Sequence, residues 1–353
     1  MLDTTERIRY ACQIALPGFG EAAQERLKAA RVLVAGAGGL GCPVAQYLVA
    51  AGVGQVTIAD FDTVAAGNLH RQILYTPEDL GQFKAVVAAR RLARQNPQVV
   101  VRAFLEKISP QNVLALFANH DLIVDCTDNF ESRYLINDAA VLGGKPVVYG
   151  AIYQYEGQVA LWNAPNADST RSPHYRDLFP EVNAAAVPNC AEGGVLPALA
   201  GIIGCMQANA ALQFLAGMAD SLAGRLLVFD AATMQTRTFK IGSVSRSSIT
   251  KLPQSEGAPS ITADAWATAR PDTYVVVDVR NIEERKQFPF PALHIPLADL
   301  GQRWTEIPDR QSVLFCCASG RRSAEAVKIW QQLRPDVAAF SLEGGIYSAY
   351  NLK

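Results

Sequence analysis

No two of the seven cysteines are spaced C-x-x-C, and their number is odd. No apolar export signal precedes them in Met1-Leu-Asp-Thr-Thr-Glu-Arg7. These absences argue against a zinc knuckle, a thioredoxin-type redox site and a secreted disulfide framework; reduced thiols in a cytoplasmic protein are expected instead. Charge is also sparse and balanced, at 18% of residues, with Lys+Arg 32 against Asp+Glu 33. A chain with no basic excess lacks the electrostatic footprint of a nucleic-acid binder or of a protein held on an anionic membrane. One long uncharged run does exist, Gly193 to Ala219, but Pro197, Gly201 and Gly204 break it and Gln207, Asn209 and Gln213 interrupt it. That pattern predicts a buried Ala-rich helix rather than a membrane span. Hydrophobic residues make up 50% of the chain, enough for globular cores.

The length of 353 residues predicts two domains at roughly 100–200 residues each. The Ser-, Gly- and Pro-rich stretch from Gly242 to Pro259 lacks apolar periodicity and reads as a linker. The expected division is residues 1–242, a linker at 243–258, and residues 259–353. In the first part, Arg31–Gly36, Gln55–Asp60, Gln98–Arg102, Asp121–Asp125 and Pro146–Tyr149 read as buried parallel strands separated by helices. This is the pattern of a doubly wound, Rossmann-like α/β sheet. Beyond Gly150 a turn at Tyr155-Glu-Gly-Gln158, a polar crossover from Asn163 to Asn189, a helix from about Leu196 and a strand at Arg225–Asp230 are expected. The second part reads as a smaller α/β unit, with strands at Tyr274–Asp278 and Ser312–Cys316 and a helix over Ser323–Leu333.

Gly36-Ala-Gly38-Gly39-Leu-Gly41 follows a strand and opens a helix, so its backbone N–H groups can meet phosphates. Asp60 ends the next strand, where a carboxylate can accept from ribose hydroxyls. Alone, these features fit a dinucleotide oxidoreductase. Arg71, Lys84 and Asp128-Asn129 favour a triphosphate instead: two cations can offset its charge and a carboxylate can hold Mg²⁺. Strand ends of an open α/β sheet converge on one crevice, so all of these residues are expected to meet at the glycines.

Arg9-Tyr10, Leu33–Gly41, Tyr47–Gly54, Asp60-Phe-Asp62, Asn68-Leu69-His70-Arg71-Gln72, Asp125-Cys-Thr-Asp-Asn129 and Cys190–Leu196 together resemble the MoeB/ThiF adenylyltransferases, over about Arg7 to Ile241. The resemblance implies that ATP adenylates the C-terminal glycine of a small ubiquitin-fold sulfur carrier of the MoaD/ThiS kind. It implies ATP contacts at Gly39, Asp60, Gly67, Asn68, Leu69, His70, Arg71, Lys84, Asp128 and Asn129, with Asp128 serving Mg²⁺, and a homodimer. Cys190 takes the place of the family's thiol, where a helix N-terminus favours a thiolate. Two departures bear on chemistry. Cys12 stands where relatives carry an arginine that reaches the phosphates. His174 and Asp177 stand where relatives carry zinc-binding cysteines, so no structural zinc is expected.

Asp278-Val-Arg280, His294–Leu297, Cys317-Ala-Ser-Gly320-Arg321-Arg322-Ser323 and Leu342-Glu-Gly-Gly345 resemble a rhodanese domain over about Ile261 to Ile346. A strand running into a Cys-initiated loop that starts a helix suits a thiolate or persulfide anion on Cys317. Cys316 with Arg322 also fits the C-x₅-R spacing of a phosphatase loop, which stays as a minor alternative. One domain that activates a carboxylate and another that delivers sulfur from a sulfane-sulfur donor imply thiocarboxylate synthesis. A catalytically weak carrier-binding protein and an NAD oxidoreductase fused to rhodanese remain the competing readings.

Overall fold

The computed structural model describes residues 1–181, 194–218, 222–252, 258–270, 273–309, 311–318 and 320–346. The chain divides into two compact units, Met1–Gln254 and Ser255–Lys353.

In the first unit, β1 (Arg31–Ala35), β2 (Gln55–Ala59), β3 (Val100–Phe104), β4 (Leu122–Asp125), β5 (Val147–Tyr153), β6 (Glu156–Trp162), β7 (Arg225–Asp230) and β8 (Gln235–Lys240) form one sheet ordered β3-β2-β1-β4-β5-β6-β7-β8. The strands from β3 to β5 are parallel. Their apolar runs are continuous because both faces are covered: Val32 and Val34 pack into one core cluster, Leu33 and Ala35 into the other. From β5 onward the sheet is antiparallel, so it is mixed rather than doubly wound throughout. The cause is local. Gln154, at φ 51°, and Tyr155 turn β5 straight into β6, a connection too short for a parallel crossover.

β3 begins two residues later than its apolar run suggested, because buried Asn96 closes the preceding helix and donates to the Tyr10 hydroxyl and the Val49 carbonyl, both at 2.8 Å. The uncharged segment forms the helix Pro197–Leu215, packed on β5, β6 and the helix Gly41–Ala50. By length and composition it is the one described helix that passes for a membrane span. Its Gln207, fully buried, donates 2.8 Å to the Asp125 carbonyl. A Cβ at Gly150 would lie 2.2 Å from that Gln207 amide, so a larger residue there would require the Gln207 side chain to move.

The second unit is an all-parallel sheet, ordered β11-β10-β12-β13-β9, of β9 (Ser260–Ile261), β10 (Tyr274–Asp278), β11 (Leu293–His294), β12 (Ser312–Cys316) and β13 (Ala339–Leu342). Its helix Arg321–Leu333 starts two residues ahead of the expected Ser323, with left-handed Gly320 at the N-cap. Arg280, 1% exposed, is fixed by Asp278 through Nε and Nη2 and by the Phe288 carbonyl. Part of the expected linker is tied to the first unit, since the Ser245 N–H donates to the Arg171 carbonyl and Ser247 bonds Asp177.

Candidate functional site

The sheet order reverses between β1 and β4, the place where an open α/β sheet binds ligands beyond its strand ends. The glycine loop follows β1 directly, and its four glycines divide into two pairs. Gly36 has φ 95°, and a Cβ there would lie 2.9 Å from the Cys126 carbonyl oxygen; a Cβ at Gly41 would lie 1.9 Å from the Gly36 carbonyl oxygen. Those two let backbones pass each other. Gly38 and Gly39 form the floor of an open cavity that Gly36 also lines.

Gly36, Gly38, Gly39, Asp60, Arg71, Lys84, Asp128 and Asn129 all line this cavity, whereas Gly41, Gly67, Asn68, Leu69 and His70 do not. The last of these act behind it. Asn68 Oδ1 accepts from Arg71 Nη2 at 2.9 Å, His70 Nε2 lies 3.3 Å from Arg71 Nη1, and Leu69 packs on the core. Asn68 and His70 thus hold the Arg71 guanidinium.

Asp60 stands one residue past β2. Its Oδ2 accepts from the Ala37 N–H at 2.7 Å and its Oδ1 from the Asp62 N–H at 2.8 Å. Burial raises its carboxyl above the usual range, with Lys84 opposing. Lys84 begins the helix Lys84–Gln95, is 4% exposed, and pairs with Asp62 at 3.0 Å. Asp128 stands past the end of β4, exposed, and its carboxylate bonds no other described residue. Asn129 Oδ1 caps the helix Phe130–Leu142 by accepting from the Ser132 N–H at 2.8 Å.

Asp62, Gln72, Glu106, Lys107, Thr127, Ser132 and Arg133 also line the cavity and were not anticipated. Gln72 was legible, since it closes the same run as Arg71; its buried Oε1 has no partner among the described residues. Arg133 lies four residues past the cap Asn129, one helical turn on, so i, i+4 spacing would have found it. Arg71, Lys84, Lys107 and Arg133 face Asp60, Asp62, Glu106 and Asp128. This wall suits a polyanion accompanied by a cation better than a bare anion.

Cys190 lies outside the described residues. Cys12 is exposed, on the short helix Ala11–Ile14, and does not line the cavity. Asp177 is hydrogen-bonded to protein; His174 Nε2 lies 3.1 Å from the Ser247 hydroxyl, while its buried Nδ1 has no partner among the described residues. Asp177 Oδ1 accepts from the Arg246 N–H (2.9 Å), the Ser247 N–H (2.9 Å) and the Ser247 hydroxyl (2.8 Å), while Oδ2 takes the His174 N–H at 2.9 Å. Burial opposes the charge on Asp177, yet these donors hold its carboxyl below the usual range. Among the described residues no cluster of three or more His, Cys, Asp or Glu side chains is placed to hold a metal.

The second unit builds a site of another kind. Cys316 ends β12 and packs with Phe290, Leu342 and Ile346, and burial pushes its thiol well up. Cys317 opens the loop. The Gly320 N–H donates to its Sγ at 3.2 Å, and the Ser323 hydroxyl stands 3.6 Å away, bonded in turn to the Ser341 hydroxyl at 2.8 Å. A Cβ at Gly345 would lie 2.4 Å from the Cys317 and Ala318 carbonyl oxygens, which explains the glycine there. Arg322 is engaged by Glu284 in two parallel bonds of 2.7 and 2.6 Å, which hold Glu284 below the usual carboxylate range. It therefore braces the loop instead of adding an unpaired cation, and Arg321 is the first helical residue.

Comparison with known proteins accounts for both units. Residues 10–249 match the model of the ThiF family and residues 262–351 that of the rhodanese-like domain. The chain is 50% identical over 234 residues to a sulfur carrier protein adenylyltransferase of Thermus thermophilus, covering 66% of this chain and 86% of that one. It is 38% identical over 371 residues to the probable adenylyltransferase/sulfurtransferase MoeZ of Mycobacterium tuberculosis, covering 98% and 93%. Among solved structures, the Escherichia coli MccB complex with ATP superposes with a TM-score of 0.59 at 18% identity, over 68% of this chain and 74% of that one, a likeness of fold. On these grounds the chain belongs to the ThiF family, and it carries a rhodanese-like domain after its nucleotide-binding unit.

Proposed function

We propose that this enzyme adenylates the C-terminal glycine of a small ubiquitin-fold sulfur carrier and then converts it to a thiocarboxylate. The observation that carries this reading is the convergence of Arg71, Lys84 and Asp128 on the floor made by Gly38 and Gly39, in a chain that also builds a donor-lined loop around Cys317. Similarity along nearly the whole chain to a protein named for both activities supports the pairing.

ATP is a substrate here. The carrier's carboxylate oxygen attacks the α-phosphorus and pyrophosphate leaves. Arg71, aimed by Asn68, and Lys84, released from Asp62, meet the charge that develops on the phosphates. Asp128 fits a divalent cation because its carboxylate is otherwise unengaged among the described residues. When bound, Mg²⁺ would offset phosphate charge and orient the leaving group. In the second stage Cys317 takes a sulfur atom from a sulfane-sulfur donor. The outer sulfur of that persulfide attacks the activated acyl carbon and AMP leaves; a thiolate, for which Cys190 is the candidate, then attacks Cys317 Sγ and frees the thiocarboxylate as a disulfide forms. In this reading the protein works in the cytoplasm as a homodimer.

The decisive experiment is ATP–pyrophosphate exchange with candidate ubiquitin-fold carriers. Exchange that appears only with carrier present supports the reading; no exchange with any cognate carrier overturns it. Zinc has no place in this scheme, in which His174 and Asp177 stand where relatives carry zinc-binding cysteines. Metal analysis of the purified protein is expected to find no stoichiometric zinc, and chelation to leave its melting temperature unchanged.

A further inference from the structure

Arg133 stands on the wall between two spaces. On one side is the nucleotide cavity, which it lines together with Asp128. On the other is a small chamber bounded by Asp125, Tyr149, Trp162 and Tyr175. The guanidinium lies over the rings of Phe130 and Tyr149, 5.6 Å from each centroid, and its Nη2 donates 3.1 Å to the Thr127 carbonyl. That carbonyl belongs to the turn leading from β4 to Asp128. The same turn is held from its other side: Asp125, 3% exposed, accepts from the Thr127 N–H at 2.9 Å and from its hydroxyl at 2.6 Å. Thr127 is thus gripped at its amide, its hydroxyl and its carbonyl, and the next residue is left with its carboxylate toward the cavity.

A second observation shows that the seat of Arg133 is incomplete as protein alone. Its Nε and the Nε1 of Trp162 are buried with no hydrogen-bond partner, and both residues line the chamber. Two orphaned donors beside a buried carboxylate call for a small group that accepts twice and donates in return. The chamber has room for about one water molecule, which meets that requirement.

We propose that Arg133 is a positioning residue for adenylation: through the Thr127 carbonyl it holds Asp128 in the orientation that takes a divalent cation, and a water in the chamber behind completes its seat. This rests on the adenylation reading of the same cavity. A direct phosphate contact by Arg133 is the rival role, and the two roles separate on what is lost. Arg133→Lys keeps the positive charge but not the planar fork that reaches Thr127. The measurement is the water-proton relaxation enhancement of Mn²⁺ on the full-length protein with a non-hydrolysable ATP analogue, which needs neither carrier nor turnover.

Arg133→Lys should weaken Mn²⁺ retention about tenfold, as expected for loss of a group that orients a metal ligand, while metal-free analogue binds as in the wild type. Asp128→Asn should lose at least as much, and the double variant no more than Asp128→Asn alone. Unchanged Mn²⁺ retention in Arg133→Lys, an equal loss of metal-free binding, or multiplying losses in the double variant would each overturn the proposal. Should Arg133→Lys melt early, Trp162→Phe, which removes the chamber donor together with part of a buried ring, takes its place. It should show a smaller loss of the same signal, and no loss would count against the idea. Absence of carrier-dependent exchange in a wild type that retains Mn²⁺ would sink the adenylation reading alone.

Discussion

Asp128→Ala should abolish ATP–pyrophosphate exchange, lowering it about a hundredfold or more, and leave sulfur transfer from thiosulfate at the wild-type rate. The selectivity has two sources. Asp128 belongs to the unit Met1–Gln254 and Cys317 to the unit Ser255–Lys353. The Asp128 carboxylate also holds no other described residue in place, so its removal should shift stability by no more than about 0.5 kcal/mol, as for an ordinary exposed position. Arg71→Ala should follow the same pattern through lost phosphate stabilisation, with exchange assays and a thiosulfate sulfurtransferase assay run on one preparation. Equal loss of both activities in a folded variant would contradict the assignment of chemistry to units.

The converse result is expected at Cys317. Cys317→Ala should stop thiocarboxylate formation from thiosulfate and leave ATP–pyrophosphate exchange unaffected. In the wild type, one sulfur atom should be found on Cys317 by mass spectrometry after incubation with the donor. The Gly320 N–H already donates to Sγ, and Ser323 can turn its hydroxyl toward an anion there, so the loop favours charge at that atom. Cys316→Ala should impair neither step, because that side chain faces Leu342 and Ile346 in the core. Sulfur found on Cys316 would overturn the loop register and revive the phosphatase-like alignment.

The parallel half of the sheet was legible because each buried strand is a short β-branched run beside a helix, and periodicity reports that directly. The antiparallel half was visible only as a change of texture after Gly150, since nothing in the run Arg225–Asp230 states which way a strand points. At the nucleotide cavity, residues on the loops after strands were legible by type: a carboxylate at Asp128 and cations at Arg71 and Lys84. Partners were not. That Lys84 is matched by Asp62, or Arg322 by Glu284, depends on side chains 22 and 38 residues apart, and neither periodicity nor local spacing carries that information. For the run Gly67–His70 the resemblance implied ligand contact; that Asn68 and His70 hold the Arg71 guanidinium is a matter of side-chain geometry that the run itself does not state.

Gly36 and Gly41 constrain how this loop can change over generations. The clash awaiting a side chain at Gly41 is with the Gly36 carbonyl oxygen, and the one awaiting a side chain at Gly36 is with the Cys126 carbonyl oxygen. Both obstacles are main chain, which no substitution elsewhere can shorten. A second-site change has nothing to trim, so suppressors of a lesion at either position would have to move whole strands. The two glycines are therefore frozen by the crossing of backbones, whichever nucleotide the loop serves. Of their neighbours on the cavity side, Gly38 has the most room, since a Cβ there would meet nothing closer than the Gln72 side-chain amide at 3.6 Å.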